Sequence, residues 1–145
     1  MSNAYTAQNT AWREKLIALT RRLSDADIQH VVGARGWTVG GILAHLAFWD
    51  QRALVLLETW KTRAIGPSAI DVDIVNEAMR PLCNAIPPRA VARMAAECAA
   101  AIDSAVEGLD AAILARIEAE GKPVRLDRAA HREHHLGQIE KALAG

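Results

Sequence analysis

Apolar residues recur along most of the chain at alternating steps of three and four, the spacing that draws one face of an α-helix. The pattern is cleanest after Thr38. Val39, Ile42, Leu46, Trp49, Ala53, Leu56 and Trp60 hold the step throughout, which predicts a helix with Thr38 as its N-cap. Gly40 and Gly41 sit in the first turn of that helix, where they lower helix propensity and would let a neighbouring backbone come close. Upstream, Trp12, Leu16, Leu19 and Leu23 predict a helix over Thr6–Leu23, and Ser24-Asp25-Ala26-Asp27 reads as its end and a new N-cap. Downstream, Val72–Leu109 is helical with a break at Pro87-Pro88. Val75, Met79 and Leu82 form the apolar side of its first half, and Val91, Met94, Cys98, Ile102, Ala105 and Leu109 that of its second. A short helix over Asp110–Glu118 follows. The last helix, Leu126–Leu143, carries Leu136, Ile139 and Leu143 on its apolar flank. Breaks are expected at Gly33–Gly36, Gly66-Pro67-Ser68 and Gly121-Lys122-Pro123. No segment alternates with period two.

These elements predict an all-α fold, an up-and-down bundle of four main helices, with residues 1–145 as one domain. Composition agrees. Alanine dominates, with leucine, arginine and glutamate behind it, and these side chains lose little freedom in a helix. Seventeen basic and seventeen acidic residues cancel, which argues against a nucleic-acid partner. No apolar run reaches the roughly 18 residues of a membrane span, and the polar N-terminus has no signal-peptide core. A cytoplasmic protein is expected. Cys83 and Cys98 form no metal-type pair and read as small buried hydrophobes in a reducing compartment.

Candidate chemistry concentrates in the histidines: His30, His45, His131, His134 and His135. On a wheel of about 100° per residue, His131 and His135 lie about 40° apart, on the side that also carries Ile139. An i, i+4 pair stacks two imidazoles within reach of one ion. His134 points about 100° away, toward the flank, and Arg132 lies near the inner face. His45 falls about 75° from the centre of its helix's apolar stripe, an edge-of-core position. Imidazole nitrogen suits zinc, nickel and iron, and three such ligands leave a position open for water or substrate. Spacing alone leaves a plainer reading open, in which His45 is a satisfied core histidine and the pair complements the dipole of the last helix. His30 reads as loop surface.

Two stretches resemble the DinB-like helical-bundle superfamily. Gly36-Trp37-Thr38-Val39-Gly40-Gly41-Ile42-Leu43-Ala44-His45-Leu46-Ala47-Phe48-Trp49-Asp50 is similar to its tryptophan, helix start and LAHLxxW[DE] segment, and His131-Arg132-Glu133-His134-His135-Leu136-Gly137-Gln138-Ile139 to its C-terminal HxxxHxxQI motif. The resemblance implies a four-helix bundle, often a homodimer, with a divalent metal, zinc or nickel foremost, held by His45, His131 and His135. Some relatives are transferases or isomerases that use a low-molecular-weight thiol, mycothiol or bacillithiol. Others are of the ClbS type, which protects against a reactive small molecule, and Trp49-Asp50 leans toward that side.

No serine triad is supported around Ser68 or Ser104, and no GxGxxG or phosphate-binding loop occurs. Asn76 and Glu77 could reach a central cavity, but solvated helix polarity is the commoner meaning of such residues. Asp50, well away from His45 on the wheel, is a poor candidate to hold that imidazole from behind. Three functions follow: a metal-dependent enzyme that activates a thiol or water toward a small electrophile, a metal-binding or small-molecule-sequestering bundle without turnover, and a metal-free helical interaction protein.

Overall fold

The computed structural model describes residues 2–145. Its helices are α1 (Thr6–Arg22), α2 (Asp25–Gln29), α3 (Val39–Thr59), α4 (Val72–Asn84), α5 (Pro88–Glu107), α6 (Ala111–Ala119) and α7 (Ala129–Ala144). The long helices α1, α3, α5 and α7 make an all-α bundle. Helix α3 packs along α5, α1 contacts both α5 and α7, and α7 meets α3; α4 lies on α3. One core joins Leu16, Leu19, Leu43, Leu46, Val91, Leu136 and Ile139. A second, around Ile102, Val106, Ile117 and Leu126, closes the other end.

The helix starts are where their capping chemistry puts them. Ser24 and Asp27 form a reciprocal capping box on α2. The Thr38 hydroxyl accepts from Gly41 N at 2.8 Å, and Pro88 opens α5, where its missing N–H costs nothing. Asp110 caps α6.

Three expectations change. The residues between α2 and α3 form a small antiparallel hairpin, β1 (Val31–Val32) against β2 (Trp37–Thr38). Each strand is too short to show a period, and the turn is made by Gly33 and Gly36 at φ 72° and 83°. The buried faces of α4 and α5 are rotated from those expected. Cys83 is buried while Leu82 is 72% exposed, and α5 buries Val91, Ala95, Ala99, Ile102 and Val106. Steps of three and four are equally helical, and the docking angle on α3 chooses between them. The small Ala95 and Ala99 allow close approach at that face. Finally, α7 begins at Ala129, not Leu126. The buried side chain of Asn9 on α1 donates to Leu126 O at 2.9 Å and accepts from Arg128 N and Ala129 N at 2.9 and 3.0 Å. It thereby holds the preceding segment out of the helix and satisfies the helix's first N–H groups.

Gly41 has a specific neighbour. A Cβ there would overlap Asn84 Oδ1, an atom that accepts from Thr38 N at 3.1 Å while Asn84 Nδ2 donates to Gly36 O at 2.8 Å. Gly41→Ala is therefore expected to destabilise the protein by about 1–3 kcal/mol through overpacking. Gly137, mid-helix with nothing within 4 Å of such a Cβ, should gain roughly 0.5–1 kcal/mol on substitution by alanine. Urea denaturation of the two variants checks the opposite signs.

Candidate metal centre

Helix α3 presents His45 and helix α7 presents His131 and His135 to one point. His131 Nε2 lies 3.1 Å from His45 Nε2 and 3.1 Å from His135 Nε2. One ligand atom from each ring lies within 4.8 Å of the others. His45 is buried, the other two are half-buried, and His134 and His30 are exposed on the surface.

This donor set suits a cation. Zinc–imidazole bonds at tetrahedral angles separate their nitrogens by about 3.3–3.4 Å, close to the spacing here. Three neutral imidazoles share too few hydrogens to satisfy one another at a common point, whereas a divalent ion accepts a lone pair from each. Burial pushes the His45 pKa down to about 4, with the neighbouring His135 and His134 adding to the shift. Burial likewise lowers His131 to about 2, helped by His135, His45 and the nearby Arg128 and Arg125. His135 is also lowered, chiefly by burial. All three are neutral near pH 7, the state a ligand needs. His135 Nδ1 donates to Gln138 Oε1 at 2.7 Å, which leaves its Nε2 lone pair facing the other two rings. Trp37 and Trp49 stand edge-on to His45, at 5.6 and 6.4 Å between ring centroids.

Two clefts meet at the triad, with His45, Asn76 and His135 lining both. One, of about 330 Å³, runs under the hairpin past Gly33 and Trp37. The other, of about 470 Å³, runs between α3 and the segment before α7 and is lined by Trp49, Arg52, Lys122, Arg125 and Arg128. Of the two readings of Asn76, the cavity one holds and the solvated one does not: it accepts from Trp49 Nε1 at 3.1 Å at the cleft wall. Glu77 does face solvent, beside Arg80 and Arg35.

Beneath the triad lies a buried ion network. Arg132, fully buried, donates to both oxygens of Asp103 at 2.9 Å and to Asn9 O at 2.9 Å, and reaches Asp50 Oδ2 at 3.4 Å. Arg13 also binds Asp103, at 2.8 Å. Arg128 binds Asp50 Oδ1 at 2.9 Å. Burial pushes the Asp50 carboxyl up, and the two guanidiniums oppose that shift. Asp50 therefore serves the arginines and not His45, whose buried Nδ1 has no hydrogen-bond partner among the described residues. The inward position of Arg132 is compatible with the triad because His131, one residue earlier, turns toward α3 while Arg132 enters the core. Sequence reasoning passed over Asn9, Arg13, Asp103 and Arg128. A polar residue in the α1 or α5 stripe was the available signal, but it does not name its partner.

Fold and site together define a DinB-like helical bundle with a three-histidine group that could hold a metal ion. Residues 10–137 match the mycothiol maleylpyruvate isomerase N-terminal domain, and the chain belongs to that family. No curated protein and no solved structure matches it. Among the described residues no helix is long and apolar enough to cross a membrane.

Removing one member of a buried ion network strands the others without compensation. Arg132→Met should cost about 3–5 kcal/mol, measured by chemical denaturation, because Asp103 and Asn9 O lose donors in the core. A change below about 1 kcal/mol would show that the network is not structural.

Proposed function

We propose that His45, His131 and His135 bind one divalent metal ion, and that the site is a metal-dependent enzyme centre acting on a small electrophile. The supporting observation is the convergence of three neutral imidazole nitrogens at the junction of two clefts. A bound ion with three neutral ligands would supply a strong positive charge that makes a thiol or water more acidic. The chain's own residues do the rest. Gln138 fixes the tautomer of His135, the two tryptophans hold His45 from the side, and the clefts give separate access for two reactants.

The family's name speaks for a thiol over water. That thiol would come from a small molecule. Cys83 is buried, Cys98 is half-buried, burial raises both thiols' pKa, and neither residue lines a cleft at the triad. A thiol transferase or isomerase that draws on a low-molecular-weight thiol is therefore favoured over hydrolysis.

The test begins with metal content in protein purified without a nickel column. About one ion per chain is expected for the wild type and for His134→Ala, and far less for His45→Ala, His131→Ala or His135→Ala. Wild type and His135→Ala are then assayed with a panel of low-molecular-weight thiols and electrophiles. Equal rates from the two proteins would rule the site out as the catalyst, and stoichiometric binding without turnover would make the chain a sequestering bundle instead.

A further inference from the structure

We propose that Arg128 is a catalytic residue, the donor that receives the negatively charged oxygen of the electrophile in the larger cleft; the role as catalyst rests on the metal-centre reading above, but the oxygen-binding subsite does not.

Arg128 is held on two sides. Its Nε donates to Asp50 Oδ1 at 2.9 Å, and its Nη1 donates to Arg125 O at 3.1 Å. The residue is 6% exposed. Nη2 has no acceptor among the described residues, yet it is not enclosed: the fully buried side-chain polar atoms that lack a partner are His45 Nδ1 and Arg132 Nε. Arg128 lines the larger cleft together with His131 and His135, and Nη2 is the guanidinium nitrogen left to meet a ligand there. Arg128 precedes His131 by three residues at the start of α7, so the two side chains rise from the same side of the chain.

A charged donor whose torsions are locked by a buried carboxylate and a backbone carbonyl has no conformational freedom left to lose. It is set for a ligand oxygen in the way that preorganised donors act in catalysis. Charge balance points the same way. Arg13, Arg128 and Arg132 face Asp50 and Asp103 in the network, so three guanidiniums share two carboxylates. Arg52, Lys122 and Arg125 line the same cleft without a carboxylate within 4.0 Å among the described residues, against one acid in the lining, Asp127, which accepts from Ala130 N. The ligand chemistry is an oxygen that carries negative charge, whether a carboxylate present from the start or a carbonyl oxygen that becomes charged on attack. In the second case the nucleophile's lone pair forms the new bond to carbon and the C=O π pair moves onto the oxygen, where Nη2–H donates.

The test uses benzoate and benzamide, which share a shape and differ in charge, titrated into metal-free and zinc-loaded protein. Arginine Nε–H signals are followed by NMR. In the wild type, benzoate should shift the Arg128 signal and bind about tenfold or more tighter than benzamide, even without metal. Arg128→Gln should abolish that preference while zinc uptake stays at the wild-type level; a merely structural role would instead lower zinc uptake. Arg128→Lys should restore part of it. Should Arg128→Gln fail to fold, Asp50→Asn/Arg128→Gln removes both charges together and is expected to show the same loss. A preference retained without Arg128, or an Arg128 signal unmoved by benzoate, overturns the proposal. Failure of the wild type to take up zinc would sink the metal reading alone, since the metal-free titration decides the subsite by itself.

Discussion

The fully buried guanidinium of Arg132 sets the terms for the rest of the molecule. A charge in a bundle core is tolerated only when its partners are brought to it. Asn9 and Arg13 come from α1, Asp50 from α3 and Asp103 from α5, so every long helix contributes to the solution. Apolar packing alone specifies the rotation of a helix loosely, since neighbouring three-four stripes can serve as its buried face, as in α4 and α5. A bidentate pair between Arg132 and Asp103 does not permit such a slip. The network thus contributes register more than net stability.

Register is what the histidines need. His131 and His135 flank Arg132 on α7, and His45 lies five residues before Asp50 on α3. Once Arg132 is tied to Asp103 and Asp50, the rotation of α7 against its neighbours is set, and His131 comes within hydrogen-bond distance of both His45 and His135. Smaller devices finish the site. Asn9 stops α7 from starting early, which leaves residues 122–128 free to form a cleft wall. Asn84 fills the space over Gly41 and ties the hairpin down, bringing Trp37 to the edge of His45.

The electrostatics are arranged in two layers. Near the triad, burial keeps the imidazoles neutral. Just below it, guanidiniums outnumber carboxylates. A cation at the triad and an arginine edge in the adjoining cleft would both favour negative charge in the same small volume.

Much of this was legible in the chain itself. The three-four step of apolar residues, the caps at Ser24 and Thr38, and the prolines at 87 and 88 determined which segments are helices, because these are local matters of backbone and side-chain chemistry. The i, i+4 spacing also placed His131 and His135 on one side of their helix. The motif resemblance named His45 as their companion and the wheel put Arg132 near the inner face, but only the tertiary structure decided how the three rings meet, that Leu82 faces out, that Asp50 serves arginines, and that Asn76 and Arg128 line the cleft. Each of these depends on contacts between residues far apart in sequence. A periodic pattern states that a helix has an inside, but the partner waiting there is chosen by the packing of other helices, and for a buried charge that choice is made by which opposite charges can reach it.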